Sequence, residues 1–263
     1  MALIHSLEKN GNFLFKYRGQ IPVLIFLLAL PILFFTNLDV YLNLQVGNLR
    51  FWRIFFIVLA FAVSLAGLIL RAYTVGTTPK GTSGRNTQGQ VAKQLNTKGI
   101  YSVVRHPLYF ANYLIWAGIM IFTMNIFAFV IVSLLYYVYY ERIMFAEEAY
   151  LRQQFGKDFE EWAMRVPAFF PNTSLYEKGD LEFSSKTFIR REYTTIFSTV
   201  FTYVIVDYLM FILTCARFHA YQLPLRLWIR PSLYILLAFA VITIIIKILK
   251  KHTRVLKSDG TRD

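Results

Sequence analysis

Apolar positions along this chain come in long runs, not in alternation. Stretches at roughly 19–36, 51–74, 194–214 and 230–249 are each close to the ~20 residues that cross a bilayer core as a helix. A fifth stretch, 108–140, runs 33 residues without a charge. That is too long for one crossing, and Met124-Asn125 near its middle predicts two short helices joined by a tight turn. The pattern therefore predicts an all-α, polytopic membrane fold of about six helices, including a short hairpin, with both termini on one side. Lys9, Lys16 and Arg18 precede the first run, which continues to Phe35 and ends without a small-residue cleavage site, so it reads as a span and not a secretory signal. The organisation that follows is N-terminal membrane helices at 1–58, a core at 59–171, a polar connector at 172–193, and a C-terminal helix pair with a basic tail at 194–263.

Composition sharpens this. The 263 residues are 56% hydrophobic and 16% charged, whereas soluble domains are about 45–50% apolar and a quarter charged. Yet the net charge is +13, from 28 Lys and Arg against 15 Asp and Glu. A nucleic-acid binder explains the charge but not the apolar content; a membrane protein with basic cytoplasmic loops explains both. With the N-terminus in the cytoplasm, 23 of the 28 basic residues fall on cytoplasmic segments and five (Arg50, Arg53, Arg217, Arg226 and Arg230) fall outside. The expected location is an inner or plasma membrane with both termini cytoplasmic. No nucleic-acid partner is expected, and sequence leaves the oligomeric state open. A single cysteine, Cys215, excludes an internal disulfide framework and a Cys-cluster zinc site. His5, His219 and His252 are isolated and no HExxH spacing occurs, so no metal is expected.

The polar stretches hold the candidate chemistry. Residues 75–107 are rich in Gly, with Lys80 and Arg85 among Gly76, Gly81, Gly84 and Gly89. Thr82 sits where a Walker A motif needs Lys. A basic Gly-rich loop can wrap an anion with its backbone N–H groups, or be simply a flexible loop. Arg105-His106-Pro107 precedes the apolar run from Leu108, with Pro107 suited to the first position of a helix. The free N–H groups of that helix, together with Arg105, suit a carboxylate or phosphate, although a basic residue flanks almost every membrane helix. Glu141 and Glu148 lie seven apart on one helical face, with Glu147 beside them. A hairpin returns the chain to the side it left, so the Arg105-His106 and Glu141–Glu148 clusters share the cytoplasmic face. Such a site suits a zwitterion, with an anion at the arginine and an ammonium or ribose hydroxyls at the glutamates. Leu151, Phe155, Phe159 and Trp162 fall at helical spacing and predict a helix lying on the membrane surface and ended by Pro167 and Pro171. Asp207 is the only acid inside a predicted span, with Tyr203 and Tyr208 as its expected partners; it is a functional suspect by location and equally a protonated structural residue.

The run Gly99-Ile100-Tyr101-Ser102-Val103-Val104-Arg105-His106-Pro107-Leu108-Tyr109 resembles the G-x-Y-x-x-x-R-H-P-x-Y signature of isoprenylcysteine carboxyl methyltransferases and related phospholipid methyltransferases. Arg142-Ile143, Glu147-Glu148, Leu151, Phe155-Gly156, Arg165-Val166-Pro167 and Pro171 follow that family's second motif in order. The resemblance covers about residues 60–171. It departs after the tyrosine, where many members carry Gly and this chain has Phe110, Ala111 and Asn112. The C-terminal pair of spans lies outside it.

The resemblance implies S-adenosyl-L-methionine held at the cytoplasmic face by Arg105, His106, Pro107, Tyr109, Asn112, Glu147 and Glu148. A membrane lipid or lipid-linked acceptor would enter from the bilayer, with Arg142 and, more weakly, Arg165 facing its anion. Methyl transfer needs positioning and water exclusion more than acid–base chemistry, and an anionic acceptor needs no base; only an amine acceptor would need Glu141 in that role. The segment GTSGRNTQGQ resembles bacterial members that act on lipid A 1-phosphate, where Lys80 and Arg85 would meet the phosphate; a prenylcysteine carboxylate is the next acceptor. Two other classes stay open. One is an NADPH-dependent sterol-type membrane reductase with a comparable hairpin, against which Glu147-Glu148 and the Phe155-Gly156 helix argue. The other is a non-enzymatic transporter or scaffold, which would line several spans with polar groups where only Asp207 qualifies.

Overall fold

A computed structural model describes residues 3–35, 48–79, 90–217 and 228–256. The described residues are helical, apart from two 3-10 turns, one isolated bridge between Gly99 and Glu177, and the connecting segments. In chain order the helices are α1 (Leu3–Lys16), α2 (Ile21–Leu33), α3 (Asn48–Thr77), α4 (Pro107–Phe122), α5 (Ile126–Phe155), α6 (Lys157–Arg165), α7 (Ser185–Arg217) and α8 (Pro231–His252).

Four of these, α3, α5, α7 and α8, are long and apolar enough to cross a membrane. The helices α1 and α2 meet at 91° and together form a bent fifth candidate. The expectation of six counts α4 as a crossing; its 16 residues rise only about 24 Å, short of a ~30 Å core. The helix α1, which the apolar pattern did not announce, docks on α5: a side chain at Gly11 would collide with the Arg142 carbonyl and with Ala146.

The hairpin forms where the sequence places it. Met124 adopts φ +53° between α4 and α5, and the Asn125 side chain caps α5 by accepting from Ala128 N at 3.0 Å. Asn125 Nδ2 also donates to the Ile32 carbonyl at 3.0 Å, which ties the hairpin tip to the end of α2.

Small residues set the α3–α4 spacing. A Cβ on Gly118 would collide with Ser64 and with the Ala60 carbonyl, and one on Gly67 would sit 2.6 Å from the Ala111 carbonyl. The Ser64 hydroxyl donates to the Ile115 carbonyl at 2.9 Å across this contact. The bulky residues of α3, among them Phe51, Trp52, Phe55 and Leu65, point outward. That is the reverse of a soluble helix and the expected sorting in lipid, where close backbone approach and not apolar burial holds helices together.

The amphipathic helix is broken in two. Gly156, at φ +53°, ends α5 and starts α6. Phe159, Trp162 and Val166 pack with Leu95, Tyr101, Leu151 and Phe155. The apolar face predicted for a membrane surface is thus covered by the protein's own 95–101 segment, because the glycine turns α6 back onto it.

Asp207 corrects a second expectation. Its carboxylate accepts from Arg230 Nε at 2.6 Å, Arg230 Nη2 at 2.7 Å and Ser232 Oγ at 2.7 Å. The expected tyrosines turn elsewhere: the Tyr203 hydroxyl contacts Ser64 Oγ and the Ala60 carbonyl, and Tyr208 donates to the Trp228 carbonyl. The result fastens the entry of α8 to α7.

Candidate functional site

The site grows from a backbone splice. Arg105 N donates to the Pro167 carbonyl at 2.9 Å, His106 N to the Ala168 carbonyl at 3.1 Å, and Asn172 N to the Val103 carbonyl at 2.9 Å. These bonds lay the segment after α6 along the approach to α4, and Trp162 Nε1 adds a bond to the Tyr101 carbonyl at 3.0 Å. Pro167 and Pro171, which end the helix, leave the chain extended enough for that pairing. The start of α4 is thereby fixed against the last turns of α5.

Between them the motif side chains meet. Arg105 grips Glu148 in a two-pronged bond, Nε to Oε1 at 2.9 Å and Nη2 to Oε2 at 3.2 Å. Its remaining Nη1 donates to the Val166 carbonyl at 3.0 Å and to the Ala163 carbonyl. His106 is buried with both ring nitrogens facing acids: Nε2 lies 2.9 Å from Glu148 Oε1 and Nδ1 lies 3.4 Å from Glu147 Oε2. Burial pushes the imidazole's pKa down, but the hydrogen bonds and charges of Glu147 and Glu148 outweigh it, so the net shift is upward. The Tyr109 hydroxyl donates to Glu147 Oε1 at 2.7 Å, and its ring stacks on His106 with centroids 5.7 Å apart.

A cleft of about 180 Å³ opens onto this cluster. Its walls include His106, Tyr109 and Glu147 from the motifs, Tyr101 and Trp162 from the splice, and Phe15 and Arg18 from the end of α1. Phe15 and Tyr109 supply apolar ring faces, Glu147 an acid, and Arg18 and Arg105 cations. Burial, first of all, raises the Tyr101 hydroxyl pKa to about 12, so it stays neutral.

The sequence-derived residues separate on this geometry. Arg105, His106, Pro107, Tyr109, Glu147 and Glu148 come together, and all but Glu148 line the cleft. Asn112 does not join them: its side-chain oxygen accepts from Arg71 Nη1. Arg142 is half-buried under Gly11 of α1, while Glu141 and Arg165 are exposed; none of the three lines the cleft. Lys80 and Arg85 lie outside the described residues. Among the described residues no group of three or more His, Cys, Asp or Glu side chains is arranged to hold a metal.

Two positions were not anticipated from sequence. Arg71 near the end of α3 holds buried Glu192 of α7 through Nε at 2.7 Å and Nη2 at 2.9 Å, and reaches Asn112 of α4 with its third nitrogen. Three helices are locked by one guanidinium. The only sequence signal was that each charge flanks an apolar run, which many residues share. Arg18 is the second, since nothing near it in sequence marks the cleft that it lines.

Comparison with known proteins follows the same division. The phospholipid methyltransferase family model matches residues 52–158. Protein-S-isoprenylcysteine O-methyltransferase B of Arabidopsis thaliana is 39% identical over 80 residues, 30% of this chain and 40% of that protein. The Schizosaccharomyces pombe protein-S-isoprenylcysteine O-methyltransferase is 36% identical over 78 residues, 29% of this chain and 33% of that protein. The nickel-cobalt-cadmium resistance protein NccN of Alcaligenes xylosoxydans xylosoxydans is 35% identical over 88 residues, 34% of this chain and 41% of that protein. The matched stretch spans about two fifths or less of the length of these relatives. No solved structure matches the chain significantly. The match over 52–158 encloses the whole cluster of Arg105, His106, Tyr109, Glu147 and Glu148, so the part of the chain that builds the cluster is the part similar to the phospholipid methyltransferase family and to the isoprenylcysteine O-methyltransferases.

Proposed function

We propose that this chain is an integral membrane methyltransferase that uses S-adenosyl-L-methionine to methylate an anionic group on a lipid or lipid-linked acceptor. The observation that carries the reading is the meeting of the two motifs, His106 and Tyr109 with Glu147, on the wall of one cleft at the ends of α4 and α5. The donor set fits the cofactor. Its ammonium and ribose hydroxyls are matched by the Glu147 carboxylate, its carboxylate by an arginine, and its sulfonium and adenine by the ring faces of Phe15 and Tyr109. When bound, the cofactor supplies an electrophilic methyl group on sulfur.

The chain's own work is positional. Arg105 and His106 neutralise Glu148 and hold the α5 carboxylates at the cleft. Tyr109 aims Glu147, and the α6 splice with Trp162 keeps water from the floor. An acceptor carboxylate or phosphate is already ionised at neutral pH, so no base is required, consistent with the exposure of Glu141. Arg142 and Arg165 are the cations proposed to meet the acceptor's anion at the membrane boundary. Lys80 and Arg85 favour a lipid phosphate such as lipid A 1-phosphate; the names of the plant and yeast relatives favour a prenylcysteine carboxylate. The proposed topology keeps the motif end of the bundle and both termini in the cytoplasm, with α4 and α5 counted as a membrane hairpin.

The test is direct. Purified protein is incubated with membrane lipids, a prenylcysteine substrate and methyl-labelled S-adenosylmethionine, and the mass that gains label names the acceptor. Binding of NADPH without S-adenosylmethionine would replace this reading with the reductase one.

A further inference from the structure

The surface helix expected around 151–162 is covered by protein, yet α1 has the placement that such a helix needs. It meets α2 at 91°. The far end of α2 is tied to the hairpin tip through Asn125 and the Ile32 carbonyl, so α2 runs beside α5 and α1 runs across the base of the bundle. Its level is set by its contacts on α5. The Tyr139 hydroxyl reaches the Leu14 carbonyl at 3.5 Å, and Gly11 lies against Arg142 and Ala146. Glu141 and Arg142 are the first charges on α5 after the uncharged run 108–140. The helix α1 therefore crosses where α5 leaves the apolar layer.

The two sides of α1 differ. Gly11 and Phe15 are buried, and Phe15 lines the cleft. On the outer side Lys9, Phe13 and, just past the helix end, Tyr17 recur every four residues, with Lys16 beside them; all four are exposed. The Phe13 side is 60% exposed although its ring pairs with that of Tyr17 at 4.8 Å between centroids. Lys16 Nζ lies 5.8 Å from the centre of the Tyr17 ring. The single acid of α1, Glu8, is half-buried and off this stripe. Two rings flanked by two lysines at a membrane boundary are the composition of an interfacial helix. The rings enter the acyl boundary, and the lysine stems carry their ammonium groups out to the phosphates.

Resting on the membrane-embedded part of the reading above, and not on its chemistry, we infer that α1 is an interfacial helix that binds anionic phospholipid head groups. Phe13 and Tyr17 enter the leaflet at the motif end of the bundle, and Lys9 and Lys16 meet lipid phosphates there. Charge selects this occupant: two ammonium groups with no exposed acid on the stripe match a phosphate layer, and an anionic lipid better than a zwitterionic one. A second copy of the chain docked face to face would set the same lysines against each other. The segment lies outside residues 52–158, so the contact belongs to this chain's own N-terminal part. Phe15 on the other side of the helix places the cleft directly behind it.

A fluorophore on the outer side of α1 tests this. Full-length protein carrying Cys215→Ala and Asn10→Cys, the latter at an exposed position one turn before Phe13, is labelled and placed in lipid nanodiscs. Brominated acyl chains quench from the lipid side and iodide from water. The label is expected to be quenched by the brominated lipid and shielded from iodide. Brominated phosphatidylglycerol should quench it more than brominated phosphatidylcholine at equal mole fraction. Lys9→Gln and Lys16→Gln should each lower that preference about two- to fivefold, whereas Lys157→Gln, on exposed α6, leaves it unchanged. Quenching by iodide and not by brominated lipid overturns the inference, as does a preference that survives loss of both lysines. Self-quenching between labelled copies, with shielding from both quenchers, gives the face to a second copy and overturns it too. The same label at Ile242→Cys, on the exposed side of α8, separates the failures: without lipid quenching there, the membrane reading falls as well.

Discussion

Two of the acid–arginine clusters among the described residues have nearly the same chemistry. At the motif end, Arg105 grips Glu148 with two bonds. In the C-terminal pair, Arg230 grips Asp207 with two bonds and Ser232 adds a third. What differs is the surroundings. The first cluster continues through His106 and Glu147 to a cleft, so part of its charge faces open space. The second joins α7 to α8 and contributes no residue to that cleft. A charge within a membrane helix is thus no proof of function by itself. Asp207 fits a structural fastener that lets α8, which buries none of its side chains, stay attached to the bundle.

The sharpest way to break this comparison is to delete each acid. Glu148→Ala and Asp207→Ala each leave an arginine without its main partner, at a cost of about 3 kcal/mol. Both are expected to lower the unfolding temperature in detergent, but only Glu148→Ala should abolish binding of S-adenosylmethionine at temperatures where the protein remains folded. Loss of binding in Asp207→Ala under those conditions would make the second cluster functional after all.

A smaller effect is expected at the α3–α4 contact that carries the motif helix. Gly118→Ala forces a methyl into Ser64 and the Ala60 carbonyl, an overpacking cost of about 1–3 kcal/mol read as a lower unfolding temperature. Smaller again, Tyr109→Phe removes one hydrogen bond from Glu147. At about 1 kcal/mol, this should weaken cofactor binding roughly five- to tenfold with little change in stability.

The smallest effect is the dependence on pH, and it separates the clusters because only one contains a histidine. The folded pKa of His106 lies above its ordinary value. The stability it adds is therefore complete below an unfolded pKa of about 6.5 and is lost as pH rises through the folded value. Wild type should lose thermal stability as the pH climbs through that window, while His106→Gln should show a flatter profile there. A wild-type profile identical to that of the variant would show that His106 does not carry the charge.

Much of the fold was legible because lipid imposes a simple rule. Backbone polar groups must be satisfied within a helix and side chains facing lipid must be apolar, so runs of composition mark helices with little ambiguity. Met124-Asn125 was readable as a turn for the same reason. The two ordered motifs were legible as a site because a hairpin forces its ends together. Less legible were features set by a single backbone choice or a distant partner. The positive φ of Gly156 folded the predicted surface helix back onto the 95–101 segment. Asn112 lies three residues past Tyr109, within one helical turn of the motif, yet it pairs with Arg71 of α3 and not with the acids of α5.

From its sequence alone this protein was legible as helical and apolar enough to be membrane-embedded, with Arg105, His106, Tyr109, Glu147 and Glu148 as a group. These follow from local hydropathy, charge placement and chain connectivity. Only the tertiary structure decided which charges pair: Arg105 as a brace for Glu148, Arg71 with Glu192 across 121 positions, and Arg230 with Asp207. It also brought Arg18 to the cleft. Partner choice depends on which helix faces pack and how closely, and residues far apart in sequence carry no local signal of that geometry.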